Sequence, residues 1–127
     1  MADCSFVVAF DRFESEVLRP AAKRYFGEDI KAIIHRGAYS CRTTRIGRES
    51  EHAKGLALDW AGIELASGRT ILVKDEWSRS GLARNFLHAV APEACRYFNE
   101  VLTPDSDLDH ADHIHLDLGP YKLCVRR

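Results

Sequence analysis

From Phe6 onward, apolar side chains recur every three or four positions, through Phe10, Phe13, Val17, Ala21 and Tyr25. That spacing predicts one amphipathic helix, bent by Pro20 and ended by Gly27. "DIKAIIHRGAYSCR" then predicts a strand, and the polar "TTRIGRESEHAKG", with Gly47 and Gly55, an irregular surface loop. "LALDWAGIEL" and "RTILVKDEW" are two apolar runs joined by "ASG", the pattern of a hairpin. Helical spacing returns in "LARNFLHAVAPEACRYFNEVL" through Phe86, Val90, Ala94, Cys95 and Phe98, with Pro92 dividing it into two helices. "HIHLDLG" predicts a closing strand. The order of elements gives an α+β class: a mostly antiparallel sheet with flanking helices.

At 127 residues, 46% of them hydrophobic, the chain suits a single domain over residues 1–127 with one buried core. It carries no internal repeat and no linker-like tract. Eighteen basic against nineteen acidic residues leave a net charge of -1, so no global field points to nucleic acid or an anionic membrane surface. No apolar run approaches the roughly 18 residues needed to span a bilayer. "MADCSFVVAF" lacks the basic stretch and apolar core of an export signal. Cys4, Cys41, Cys95 and Cys124 form no close pair of the kind that holds a sulfur-ligated zinc. Two disulfides are expected, with three pairings open; in a reducing compartment the four would be small buried residues.

The chemistry concentrates in "HADHIHLDL", where three of the six histidines fall within six positions. In a strand His113, His115 and Asp117 share one face, while Ile114, Leu116 and Leu118 take the other. The α-carbons of His113 and His115 then stand roughly 6.6 Å apart. One imidazole can bind a metal while its neighbour reaches a water beside it. "SEHAKGLALD" offers two further ligands, His52 and Asp59. Seven residues span about 10.5 Å of helix or about 23 Å of strand, so the two converge only through a bend, for which Gly55 is placed. Two histidines, one carboxylate and one open position describe a catalytic zinc site.

These residues carry a resemblance. "SEHAKGLALD" resembles the Ser-x-His-x-x-Gly-x-Ala-x-Asp signature of zinc D-alanyl-D-alanine peptidases, in the fold group shared with lysostaphin-type endopeptidases and hedgehog signalling domains. "HADHIH" is similar to the His-x-x-His-x-His run of penicillin-insensitive murein endopeptidases. "YSCRTTRIG", "SEHAKGLALDWAG", "ACRYF" and "HADHIHLDLG", in this order and with all four cysteines, resemble the bacterial extensin-like C-terminal domain family over about residues 4 to 124. The resemblance implies a hedgehog/D-Ala-D-Ala peptidase-like fold and zinc held by His52, Asp59 and His115. It places His113 as the histidine that bonds the water or the developing oxyanion. Asp112 stands where some relatives have a glutamate base, and strand alternation would point it away from His113. Arg42 and Arg45 precede the His52 loop, where related peptidases hold a substrate carboxylate by an arginine. Ser50 matches the motif serine, and His110 is a candidate for the cleft rim.

Each assignment has a plainer structural reading. A histidine pair on a strand can simply face solvent, Asp59 can be a strand-end acid, Ser50 a helix cap, and Arg42 and Arg45 solvated loop charges. Asp117 can orient a histidine or pair with an arginine. His35 and His88 have no partner motif and are read as structural. The reading expected from the whole is a monomeric zinc metallopeptidase acting on peptidoglycan stem peptides or crosslinks, periplasmic or secreted, with toxin-type delivery another route. The alternatives are a zinc-containing cell-wall-binding module without activity and, ranked below both, a two-histidine, one-carboxylate iron oxygenase.

Overall fold

The computed structural model describes residues 5–38, 57–106 and 111–124. Helix α1 (Ser5–Phe13) runs through a π-helical turn (Glu14–Leu18) into α2 (Arg19–Phe26). The wide turn comes just before Pro20, whose ring cannot donate to, and would press on, the carbonyl four residues back; a π turn relieves both problems. Gly27 ends the helix at φ 73°, with its N–H bonded to the Lys23 carbonyl.

Six strands follow: β1 (Ile30–Ala38), β2 (Ala57–Leu65), β3 (Thr70–Leu72), β4 (Glu100–Leu102), β5 (Ile114–Asp117) and β6 (Leu123–Cys124). They form one sheet in the order β1-β2-β5-β4-β6, with β3 also beside β2. The β4–β6 pair is parallel and the others are antiparallel. The expected α+β class, with a mostly antiparallel sheet, is what the chain adopts.

Strand β2 is the centre of this arrangement. One edge pairs with β1 along its length; the other pairs with β5 over Ala57–Trp60 and with β3 over Gly62–Glu64. That division explains one departure from the sequence reading. "RTILVKDEW" is strand only to Leu72, then turns into α3 (Val73–Glu76), because the β2 edge beyond Gly62 belongs to β5. A second departure follows α4 (Leu82–Glu93). Pro92 does not separate two helices: α4 tightens after it into a 3-10 turn (Ala94–Arg96), and Glu100–Leu102 pairs as β4. Ladder bonds to β5 and complete burial of Val101 outweigh the helical spacing there.

The helices cover one face of the sheet. Phe13, Leu18, Ala21 and Ala22 pack with Trp60, Ile63, Leu65, Phe86 and Leu116 in one buried cluster. Phe13 stands edge-on to Trp60, with centroids 6.3 Å apart. The opposite face carries Lys31 paired with Glu64 at 3.9 Å, Arg36 paired with Asp112, and the acids and histidines described below.

Cys95, in the 3-10 turn, is bonded to Cys124 on β6, tying the end of α4 to the edge of the sheet. Cys4 and Cys41 lie outside the described residues. Removing a crosslink that spans 29 residues releases the entropy of that loop in the unfolded chain. The double substitution of Cys95 and Cys124 by serine is expected to lower unfolding free energy by about 3 kcal/mol, measured by urea titration; an unchanged midpoint would refute it.

Candidate metal centre

Asp59 lies between Leu58 and Trp60, both buried beneath the helices, so alternation sends its carboxylate to the other face. His115 does the same between the fully buried Ile114 and Leu116. The antiparallel register sets Asp59 directly opposite His115, and Glu100 opposite Asp117. Side chains in such pairs start about 5 Å apart at Cβ. His115 therefore sits among carboxylates. Its Nδ1 donates to Asp59 Oδ1 at 3.0 Å, its Nε2 donates to Asp117 Oδ2 at 2.6 Å, and Glu100 Oε1 stands 3.7 Å from Nε2. Asp117, 2% exposed, also accepts from the Gly119 N–H at 2.9 Å and shares a hydrogen bond with the Glu100 carboxyl.

His113 precedes β5 and points to the same face. Its Nδ1 donates to Asp112 Oδ1 at 2.8 Å, and its Nε2 is 3.7 Å from Asp59 Oδ1. Asp112 Oδ2 takes Arg36 Nη1. The expectation that Asp112 points away from His113 is thus overturned. Residues 111 and 112 form a turn before the strand, and the period of two does not extend into it. The two histidines and Asp117 do share a face, as the alternation predicts.

These contacts set the charge states. Burial pushes the His115 imidazole down, but hydrogen bonds to Asp117 and Asp59 outweigh it and raise its pKa to about 9. Burial would likewise raise Asp117, yet hydrogen bonds with His115, Glu100 and the Gly119 N–H hold it below the usual carboxylate value. The hydrogen bond from His113 keeps Asp112 low against its burial, with the Arg36 charge assisting.

A histidine whose pKa is higher folded than unfolded stabilises the protein fully below its unfolded value, near 6.5, and loses that contribution as pH rises through its folded value. Metal-free protein is therefore expected to lose about 2 kcal/mol between pH 6.5 and 9.5, a figure discounted for the residual solvent at the site. Urea midpoints across that range check it, and a flat profile, or one shared by His115→Gln, would count against it.

The donor set suits a divalent ion. Two ligand atoms on one tetrahedral zinc stand roughly 3.3 Å apart; Asp59 Oδ1 and His115 Nδ1 are 3.0 Å apart. With Nε2 held by Asp117, the imidazole is oriented to present Nδ1, a common second-layer arrangement at metal sites. Glu100, His115 and Asp117 make another possible ligand group, with donor atoms within 4.8 Å of one another, which would use Nε2 instead. Glu100 is not evident in the sequence, where "NEVL" continues the helical spacing; in the strand it adopts, it falls opposite Asp117.

Of the other sequence candidates, Arg42, Arg45, Ser50, His52 and His110 lie outside the described residues. His88 is structural as expected, stacked on Trp77 and hydrogen-bonded through Nε2 to its carbonyl at 2.9 Å. His35 lines an apolar pocket with Phe6, Phe10 and Ile33.

A family model described as extensin-like protein C-terminus matches residues 1–125. No curated protein and no solved structure matches the chain.

Proposed function

The chain belongs to the extensin-like C-terminal family, and on that premise we propose that it is a zinc-dependent hydrolase of peptide bonds in peptidoglycan stem peptides or crosslinks. One observation carries the reading: a carboxylate and an imidazole meet at 3.0 Å across two paired strands, with a second imidazole 3.7 Å from the same carboxylate oxygen. Asp59 and His115 would hold zinc, His115 through Nδ1, with His52 as the third ligand by resemblance. When bound, zinc supplies Lewis acidity that polarises a carbonyl and acidifies a water.

His113 is the group that handles the proton. Asp112 fixes its ring through Nδ1, which turns Nε2 toward Asp59, where a scissile carbonyl would lie. Both Asp112 oxygens are engaged, by His113 and Arg36, so Asp112 acts first as the partner that orients His113 and only second as a base. Arg42, Arg45, Ser50 and His110 would contact substrate. The Cys95–Cys124 bond suits an oxidising compartment, the periplasm or the cell exterior. No helix among the described residues is long and apolar enough to cross a membrane.

Purified protein incubated with muropeptides is expected to release new fragments, detected by mass spectrometry, in a zinc-dependent way. Cleavage undiminished by a chelator would overturn the reading. The doubly hydrogen-bonded His115 also suits a fold-stabilising role; stoichiometric binding to sacculi with no product released would establish instead a zinc-containing wall-binding module.

A further inference from the structure

A trough of about 360 Å³ opens on the site's face of the sheet, lined by Ile34, Arg36, Ala61, Leu72, Lys74 and Asp112. Its floor is Ala61, 7% exposed and two residues along β2 from Asp59. Its far end is Asp112, the partner of His113. The trough therefore adjoins the candidate centre, meeting it at Asp112. Its volume falls in the range of small-ligand sites.

Its chemistry is asymmetric. Ile34, Ala61 and Leu72 give apolar walls and floor, and the charged residues are two cations and one anion. The anion, Asp112, is already matched by Arg36. Lys74 forms no ion pair or hydrogen bond among the described residues and is exposed at the first turn after β3. An ammonium without a partner among the described residues, above an apolar floor, complements a carboxylate beside a small apolar group.

We propose that this trough binds a carboxylate-bearing segment of the peptide substrate, with Lys74 pairing the carboxylate and Arg36 closing the end nearest His113. The proposal rests on the hydrolase reading for the identity of the peptide, but its binding chemistry does not depend on cleavage. The anion lies over Leu72 and Ala61, and the adjoining backbone runs past Asp112 toward Asp59.

The test uses the full chain, zinc-loaded and chelated, and two synthetic stem peptides differing only in whether their γ-linked D-glutamate carries a free α-carboxylate or an amide. Calorimetry is expected to show roughly fivefold tighter binding of the carboxylate form, lost in high salt. Lys74→Gln should abolish that preference, Lys74→Arg should keep it, and Lys31→Gln, outside the trough, should leave it intact. Equal affinity for the two peptides, binding of neither, or a preference untouched by Lys74→Gln would overturn the proposal. A Lys74-dependent preference without any cleavage supports the trough while removing the hydrolase reading. Cleavage with no carboxylate preference does the reverse.

Discussion

Replacing His115 with alanine is expected to reduce zinc-dependent muropeptide cleavage at least about a thousandfold and to weaken zinc binding in a competition assay with a chromogenic chelator. The side chain contributes in two ways. Its Nδ1 is the nitrogen opposite Asp59 Oδ1, and its cation offsets Asp117, which is almost wholly buried. Without the imidazole, Asp117 keeps its bonds to the Gly119 N–H and Glu100 but loses the cation beside it. Metal-free His115→Ala should accordingly also lose about 3 kcal/mol of stability. Asp59→Asn separates the two effects, because it preserves shape and a hydrogen-bonding oxygen while removing the charged donor. It should lose zinc affinity and activity with a smaller change in unfolding midpoint. Wild-type zinc affinity in both variants would remove Asp59 and His115 from the ligand set.

Gly62→Ala is expected to cost about 4 kcal/mol, the sum of backbone strain and overpacking. Gly62 adopts φ 155°, and a Cβ built there would lie 2.1 Å from the Ile71 carbonyl oxygen, an atom of the backbone. The clash cannot be relieved by turning a side chain; β3 must withdraw from β2. Gly62 is also held from its own strand, where the Trp60 indole Nε1–H donates to the Gly62 oxygen at 2.8 Å. Displacing β3 would also move Leu72 and Lys74, so the variant should lose the peptide preference described above along with its stability. Thermal unfolding measures the first effect, and a shift in Tm under 3 °C would contradict the close approach.

Much of this arrangement can be read from residue order. The alternation in "DHIHLD" alone assigns the two imidazoles and Asp117 to one side and Ile114 and Leu116 to the core, because a half-buried strand must separate them that way. The first helix is equally legible, since Pro20 and Gly27 have local, strong effects on backbone. Where local cues were ambiguous, long-range pairing decided. Val101 fits a helical stripe as well as a strand, and only the open edge of β5 makes it a strand. Glu100 was hidden for that reason. Arg36 and Lys74 look like any solvated cation in sequence, and their common trough exists only once β1, β3 and the turn before β5 are brought together. The cysteines allowed three pairings; the Cys95–Cys124 bond depends on the parallel docking of β6 beside β4, which no local pattern announces.

β2 is bordered on both sides and pairs with β5 in unbroken register over Ala57–Trp60, so that ladder leaves no slack for a change in length there. Deleting a single residue between Ala57 and Asp59 would exchange the two sides of the strand's first half. The Trp60 indole would then face solvent beside His115, and the Asp59 carboxylate would take the place of Leu58 near Phe6 and Phe10. Deletion scanning should therefore find this short segment intolerant at every position, including those whose side chains touch neither ion nor peptide, whereas the "ASG" turn that follows should accept shortening or extension far more readily.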